Sequence, residues 1–590
     1  MEYDPAGRIE SRSILVTDEN GEVHETDKEN YAYDPSGRLA GPQNAHSRHQ
    51  YFYDKLGNLI REYRHDSLDG TARSHVWHHR YDALGNRTET IRPDGQRIGY
   101  LHYGSGHLHG ITLNRNEIAA FERDKLHRET ERTFGRHIRQ ETQYDPVGRI
   151  LQQIHNRSRR EYGYDAAGQL THIQSRGGQT QYRYDPIGRL IASVTPDFSE
   201  TFAFDPAGNR LDLSGNKQDH TGQTNSQEKP SLNKVWGNLL KEYAGVHYDY
   251  DQRGNLIRKT RNGETTDYHW NGYNQLVKIE NRNGSTEYRY DPLGRRTAKI
   301  RNGETTVPIG IEREDKPAEP YSYDPETDPL LKIPPEPQEQ SEVQPELVYY
   351  QLDHLGTPIA AHNAKGEAVW TAEYEAWGRI RQETVSDDPK ANVPFRFQGQ
   401  YYDEESGLHY NRFRYYDPEI GRFVSQDPIG LQGGMNLFEY APNPVGWTDP
   451  LGLLSEWRRN WEARYGAFPA GYQVHHIIPK EEMVLSSLRK LCPSYDIHQV
   501  DNLIALPESS SISQQNKPGF GKTIHSGYHK GYSLAVKKML EGAVKFKKQG
   551  LSSCAKIKAI QRALKQSLVK GDISMYKSNS KLDTSYVTAN

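Results

Sequence analysis

Apolar and polar positions alternate along most of this chain, in short runs broken again and again by one kind of turn. Gln-Tyr-Arg-Tyr at 181–184 and Glu-Tyr-Arg-Tyr at 287–290 are two such runs, each leading into Asp-Pro-x-Gly. A period of two predicts strands with one buried face. The turn carries its own chemistry, because Pro fixes φ at the second turn position and Gly tolerates positive φ. The unit Tyr-Asp-x-x-Gly, usually followed by Arg or Asn, starts at Tyr3, Tyr33, Tyr53, Tyr81, Tyr144, Tyr164, Tyr184, Tyr250 and Tyr290. Phe204 replaces Tyr in one copy, Trp270 opens a drifted one, and several steps are 20 residues. Such a period predicts hairpins that lean on their neighbours and continue as a long β-sheet. No copy carries a His/Asp/Glu cluster that repeats with it, so the recurring Asp is expected to be a turn residue.

The pattern changes three times. Residues 1–311 hold the repeats. Residues 312–348 are rich in Pro and Glu and read as a flexible or extended surface insertion. Residues 349–453 return to aromatic, turn-rich text. Residues 454–590 read as a separate, mixed segment. There Trp457, Trp461 and Tyr465 form a helical stripe, 472–478 is a short strand stopped by Pro479, and 481–491 is helical. A second short apolar run at 502–506 ends at Pro507. A helix from Thr523 carries His525 and His529 on one face, and lysine-rich amphipathic helices follow to about Val569.

Composition sharpens this division. Hydrophobic residues make up only 34% of the 590, yet Tyr numbers 39 against 14 Phe. Tyrosine suits half-buried strands, covering area with its ring while keeping a polar tip. Two cysteines, Cys492 and Cys554, exclude a disulfide framework. No apolar run approaches ~18 residues, so no membrane span is expected. The start, Met-Glu-Tyr-Asp-Pro, lacks a signal peptide's apolar core, which predicts synthesis in the cytoplasm and export by other means. The net charge of -3 conceals a split: residues 454–590 carry 21 Lys and Arg against 10 Asp and Glu, and the rest 54 against 68. A basic module behind an acidic body fits a polyanion-binding domain, or else a solvated lysine-rich tail.

Residues 349–453 include PFRFQGQYYDEESGLHYNRFRYYDPEIGRFVSQDPIGLQGGMNLFEYAPNPVGWTDPLGL. With the upstream repeats, this segment closely resembles the core of the Rhs (YD-repeat) family over roughly residues 1–453. The resemblance implies a mainly β spiral wound into a hollow cocoon, with a variable C-terminal toxin inside. It also implies self-cleavage. The family pattern is Asp-Pro-x-Gly, eighteen residues, then Asp-Pro-x-Gly, and Asp427 to Gly430 followed by Asp449 to Gly452 matches it in full. By resemblance, Asp427 and Asp449 form an aspartyl-protease-like pair that cuts between Leu453 and Leu454. Taken alone, both tetrapeptides read as turns like those upstream. The chain opens inside a repeat and shows no PAAR-like spike domain, so the expectation is a truncated cassette or delivery parts on another chain, such as a spike protein of type VI secretion.

GYQVHHIIP at 471–479, VDNLIALP at 500–507 and HSGYH at 525–529 supply, in order, the parts of a one-metal nuclease site. The set resembles HNH/endonuclease VII nucleases, most closely the AHH toxin group, which implies a ββα-metal finger with additional helices. Mapped onto this chain, His475 is a metal ligand and His476 the general base. His525 and His529 complete the metal site, Asn502 orients the base, and Asp501 supports it. Phosphodiester hydrolysis needs a cation beside the phosphate and a base that works near neutral pH. One divalent ion is expected, Mg2+ as the working ion, with Zn2+ or Ni2+ as alternatives. The expected substrate is DNA in a rival cell, with RNA as the alternative, and a small acidic immunity protein is expected to protect the producer. A reading of another class is a carbohydrate-binding repeat protein in which the histidines hold a structural zinc.

Overall fold

The turn dictates the sheet. In the copy at Tyr144, Asp145 Oδ1 accepts the backbone N–H of Val147 (3.0 Å) and of Arg149 (2.8 Å), while Oδ2 takes Arg149 Nε at 2.6 Å. One carboxylate thus closes the turn twice and fixes the residue four places on. The arginine then lies over the next tyrosine: Arg149 over Tyr164 and Arg128 over Tyr144, each 4.7 Å from the ring centroid. The tyrosine hydroxyl donates to the carbonyl fourteen residues back, Tyr164 to Ile150 (2.9 Å), Tyr184 to Leu170 (2.6 Å) and Tyr290 to Leu276 (2.7 Å). Phenylalanine cannot make that bond, which accounts for the excess of Tyr. Trp270 makes it with Nε1, donating to Leu256 O at 2.7 Å, so the drifted copy keeps the chemistry. A register shift falls at this aromatic position, as at Gly163/Tyr164 and Arg289/Tyr290, bending each strand into its turn.

The computed structural model describes residues 1–17, 21–68, 71–104, 106–135, 137–213, 235–301, 304–306, 331–332, 347–386, 393–453, 472–476 and 503–507. Among them the protein is almost wholly β. Nineteen strands, from Glu2–Tyr3 to Ser199–Thr201, pair antiparallel in chain order in one sheet. An eight-stranded sheet runs from Glu242–Tyr243 to Glu304–Thr306, a five-stranded one from Leu331–Lys332 to Ile380–Val385, and a four-stranded one from Tyr401–Asp403 to Arg422–Phe423. The turn also occurs where no Tyr-Asp pair announces it, at Asp124, Asp353, Asn363 and Glu375. At Asp124 the glycine position is filled by His127, at φ +64°. Within the Pro/Glu-rich stretch, Leu331–Lys332 pairs with Val348 and Tyr349. No helix among the described residues is long and apolar enough to cross a membrane.

The chain divides into two compact units, Met1–Leu453 and Leu454–Asn590. In the first, the second sheet seats its turns on the first sheet: Tyr273 Oη donates to Arg12 O (3.0 Å), Tyr31 Oη to Pro292 O (3.0 Å), and Asn44 Nδ2 to Tyr290 O (2.8 Å). The four-stranded segment then covers the second sheet, sharing a core of Tyr248, Leu256, Tyr268, Leu276, Tyr288 and Tyr290 with Leu408, Tyr415, Ile420 and Val424. Buried charges join the same layers. Arg296 pairs with Asp403, and Lys259 lies 2.9 Å from Asp417 and 2.8 Å from Glu419. These contacts hold residues 401–425 in one place, and the candidate cleavage site is built on them.

One junction between sheets is expected to be acid-sensitive. His155, at the end of Ile150–His155, and His362, at the end of Pro358–His362, bring their rings to 5.0 Å. His155 is buried, and neither ring nitrogen has a hydrogen-bond partner among the described residues. Burial, then the charges of His362 and Arg160, push its pKa down to about 4. A folded-state pKa below the ordinary 6.5 means the unfolded chain takes the proton first. The stability is therefore complete above about pH 6.5 and is lost as pH falls towards 4. Thermal melts of the full chain at pH 7 and pH 4.5 are expected to show a fall that His155→Phe reduces. An equal fall in both proteins would show that acid acts elsewhere.

Candidate functional site

The Leu408–Asn411 and Arg414–Asp417 strands form a tight hairpin whose second strand begins with a buried arginine. Arg414 lies 3.6 Å from the centroid of the Phe423 ring and donates from Nη1 to Leu437 O at 3.1 Å. Its Nη2 stands 3.0 Å from Asp427 Oδ2 and 3.3 Å from Asp449 Oδ2. Both aspartates are buried, so two carboxylates converge on one guanidinium away from water.

Each aspartate opens the turn that its sequence predicts. Gly430 N donates to Asp427 O at 2.9 Å and Ile429 N to Asp427 Oδ1 at 3.0 Å. Leu453 N donates to Asp449 Oδ1 at 2.9 Å. The difference from the repeat lies four residues on. There the repeat supplies Arg or Asn to hold Oδ2, but here the positions are Leu431 and Leu453. Without an Arg or Asn at that position, both Oδ2 atoms stand beside Arg414 Nη2, so turn and convergence coexist.

The segment that follows Asp449 lies along the same hairpin. Asn411 Nδ2 donates to Asp449 O (2.9 Å), Arg414 Nε to Gly452 O (2.5 Å) and Phe413 N to Leu451 O (3.4 Å). Gly399, at φ +84°, lets Pro450 pass: a Cβ there would meet Pro450 O at 2.0 Å. Tyr440 Oη accepts the Asp449 N–H at 3.4 Å, and its own pKa is held far above the ordinary value by burial first and then by the Asp449 charge. Leu453 thus ends a fixed segment, and the boundary between the two units falls between it and Leu454. Sequence reading missed Arg414. Its signal was available in the two Asp-Pro-x-Gly-Leu strings, which lack the usual cation at the fifth position.

In the second unit, Tyr472–His476 pairs antiparallel with Leu503–Pro507. Of the strand expected over 472–478, residues 472–476 are described, and all five are paired. Of the run expected over 502–506, residues 503–506 are described and paired, and the strand extends to Pro507 opposite Tyr472. His475 stands opposite Ile504, and His476 opposite Leu503, next in the chain to Asn502. Leu454, Asp501, Asn502, His525 and His529, with the expected helices, lie outside the described residues.

Three family models match: teneurin YD-shell over residues 125–439, RHS repeat over 53–97, and a nuclease family of the HNH/ENDO VII superfamily with conserved AHH over 456–567. The "Double-stranded DNA deaminase toxin A" of Burkholderia cenocepacia is 34% identical over 454 residues, 69% of this chain and 30% of that protein. The "Probable deoxyribonuclease RhsA" of Dickeya dadantii is 30% identical over 463 residues, 68% of this chain and 29% of that protein. The chain therefore spans under a third of the length of these relatives. The crystal structure of TcdB2-TccC3-Cdc42 matches with a TM-score of 0.54 at 16% identity, covering 75% of this chain and 26% of that one, a likeness of fold.

Proposed function

This chain belongs to the teneurin YD-shell family, with Rhs repeats and an AHH-type nuclease domain, and on that premise we propose a toxin that cuts its own chain and then cuts nucleic acid. The convergence of Asp427 and Asp449 on Arg414 supports the first step. Two close carboxylates share a proton, so one takes a proton from water while the other gives one to the leaving amine. Water adds to the Leu453 carbonyl carbon, the bond to the Leu454 nitrogen breaks, and residues 454–590 are freed. The hydrogen bonds to Asp449 O, Leu451 O and Gly452 O hold the substrate segment still, which removes much of the entropic barrier.

The second step rests on the AHH match over 456–567 and on the register that sets the His475-His476 strand against the run after Asn502. Three neutral imidazoles, His475, His525 and His529, suit a divalent ion and leave coordination open for phosphate. When bound, the ion supplies positive charge beside the scissile phosphate. His476 takes the proton from water, and Asn502 orients it. The excess of 11 positive charges over residues 454–590 favours a polyanion, and DNA is the proposed substrate. The same charge favours an acidic immunity protein as partner in the producing cell. The proposed destination is the cytoplasm of a rival cell, reached through a secretion apparatus.

The test is digestion of plasmid DNA and of total RNA by the self-cut full chain, with EDTA or with added Mg2+, Mn2+ or Zn2+. EDTA is expected to stop DNA cutting and Mg2+ to restore it. Loss of RNA instead keeps the chemistry and changes the substrate. Cutting that survives EDTA, or none with any ion, overturns the proposal.

A further inference from the structure

Gly433 ends the short 3-10 turn Gly430–Gly433 and lies buried beside Asp427. Its φ is outside the left-handed region, so alanine there meets no backbone strain. A Cβ, however, would fall 2.3 Å from Asp427 Oδ2 and 2.8 Å from Asp427 Cγ. Those distances are far inside van der Waals contact, and something must yield.

The backbone of Asp427 is held and cannot easily move. Its N–H donates to Leu437 O at 2.8 Å, its carbonyl accepts from Gly430 at 2.9 Å, and Oδ1 is held by Ile429 N at 3.0 Å. The other carboxylate oxygen, Oδ2, is the atom 3.0 Å from Arg414 Nη2. We propose that Gly433 is a positioning residue of the cleavage site, the missing side chain being the space in which the Asp427 carboxylate reaches Arg414. The inference rests on the reading that Asp427 and Asp449 cut the chain. Gly399 and Gly452 shape the same site, but both sit at positive φ, so an alanine at either adds backbone strain. At Gly433 the steric effect stands apart from strain.

The experiment follows cleavage of the full chain during cell-free translation, with wild type, Gly433→Ala, Asp427→Asn and Asp449→Asn side by side. Gly433→Ala is expected to slow cleavage on the order of 100-fold, the scale of a 1 Å misplacement. Uncut Gly433→Ala chain is expected to melt like uncut Asp427→Asn chain. Refolded from denaturant into buffers from pH 4 to 8, it should cut best at a higher pH than wild type refolded in the same way. A carboxylate drawn off a guanidinium keeps its proton to higher pH, and a purely structural defect would not move the optimum. Wild-type speed in Gly433→Ala, with both Asn variants uncut, overturns this inference alone. Failure of Gly433→Ala to fold also overturns it, because the carboxylate and not the backbone is said to yield. Cutting by either Asn variant overturns the aspartate reading, and the inference with it.

Discussion

Asp427→Asn leaves the chain whole. A single uncut 590-residue product is expected where the wild type yields 1–453 and 454–590, and Asp449→Asn should do the same. The expected loss of rate is at least 10²–10⁴-fold, roughly what one positioned acid or base contributes. Asparagine keeps the size of the side chain and an oxygen for the turn, so Ile429 N still finds its acceptor. It removes the proton that the pair must pass. The control is Asp145→Asn. Asp145 closes an equivalent turn, but its Oδ2 is taken by Arg149 in its own repeat, so cleavage should be unchanged there. Arg414→Ala is the less informative variant, since stripping the cation from two buried carboxylates costs about 3–5 kcal/mol and threatens the fold itself. Gel analysis of freshly translated chain decides the matter. Persistent cutting in both Asn variants would mean that the two carboxylates bind Arg414 for structure only.

The sheet was legible because its rules are local. Alternation gives the strands, and each turn is closed by an Asp, a Gly and the residue after it, all within five positions. The turns at Asp353 and Glu375 escaped notice because no Tyr-Asp pair marks them, although Gly356 and Gly378 hold the same positions. What alternation could not convey is the stacking of sheets. Tyr273 reaches Arg12 across 261 residues, and Arg296 pairs with Asp403 inside a core drawn from two sheets. The candidate cleavage site falls between these cases. Its aspartates were visible as a spaced motif, whereas Arg414 looked like any cation in Asn-Arg-Phe-Arg. Gly433 is invisible to sequence for a plainer reason: it sits beside Gly434, and only the position of Asp427 Oδ2 shows which glycine is sterically required.

His476→Ala is expected to slow nucleic-acid cutting severely while leaving self-cleavage intact, which separates the two chemistries in one protein. The proposed base acts in the second unit, and the two aspartates and Arg414 lie in the first. Removing a general base lowers the rate by about 10²–10⁴-fold, so residual cutting should be slow but measurable at high protein concentration. The base must accept a proton near neutral pH, which an imidazole does at its ordinary pKa and alanine cannot do at all. His475→Ala tests the neighbouring role, because loss of a ligand weakens metal binding. Its defect should shrink as Mg2+ is raised, whereas that of His476→Ala should not. The contrast matters because the two residues are adjacent on one strand, opposite Ile504 and Leu503. A mere disturbance of that hairpin would affect both variants alike and would appear in circular dichroism. Equal defects, both relieved by metal, would make His476 a ligand and leave the proton to another group. A defect in His476→Ala that no metal relieves, with the fold unchanged, assigns it the proton.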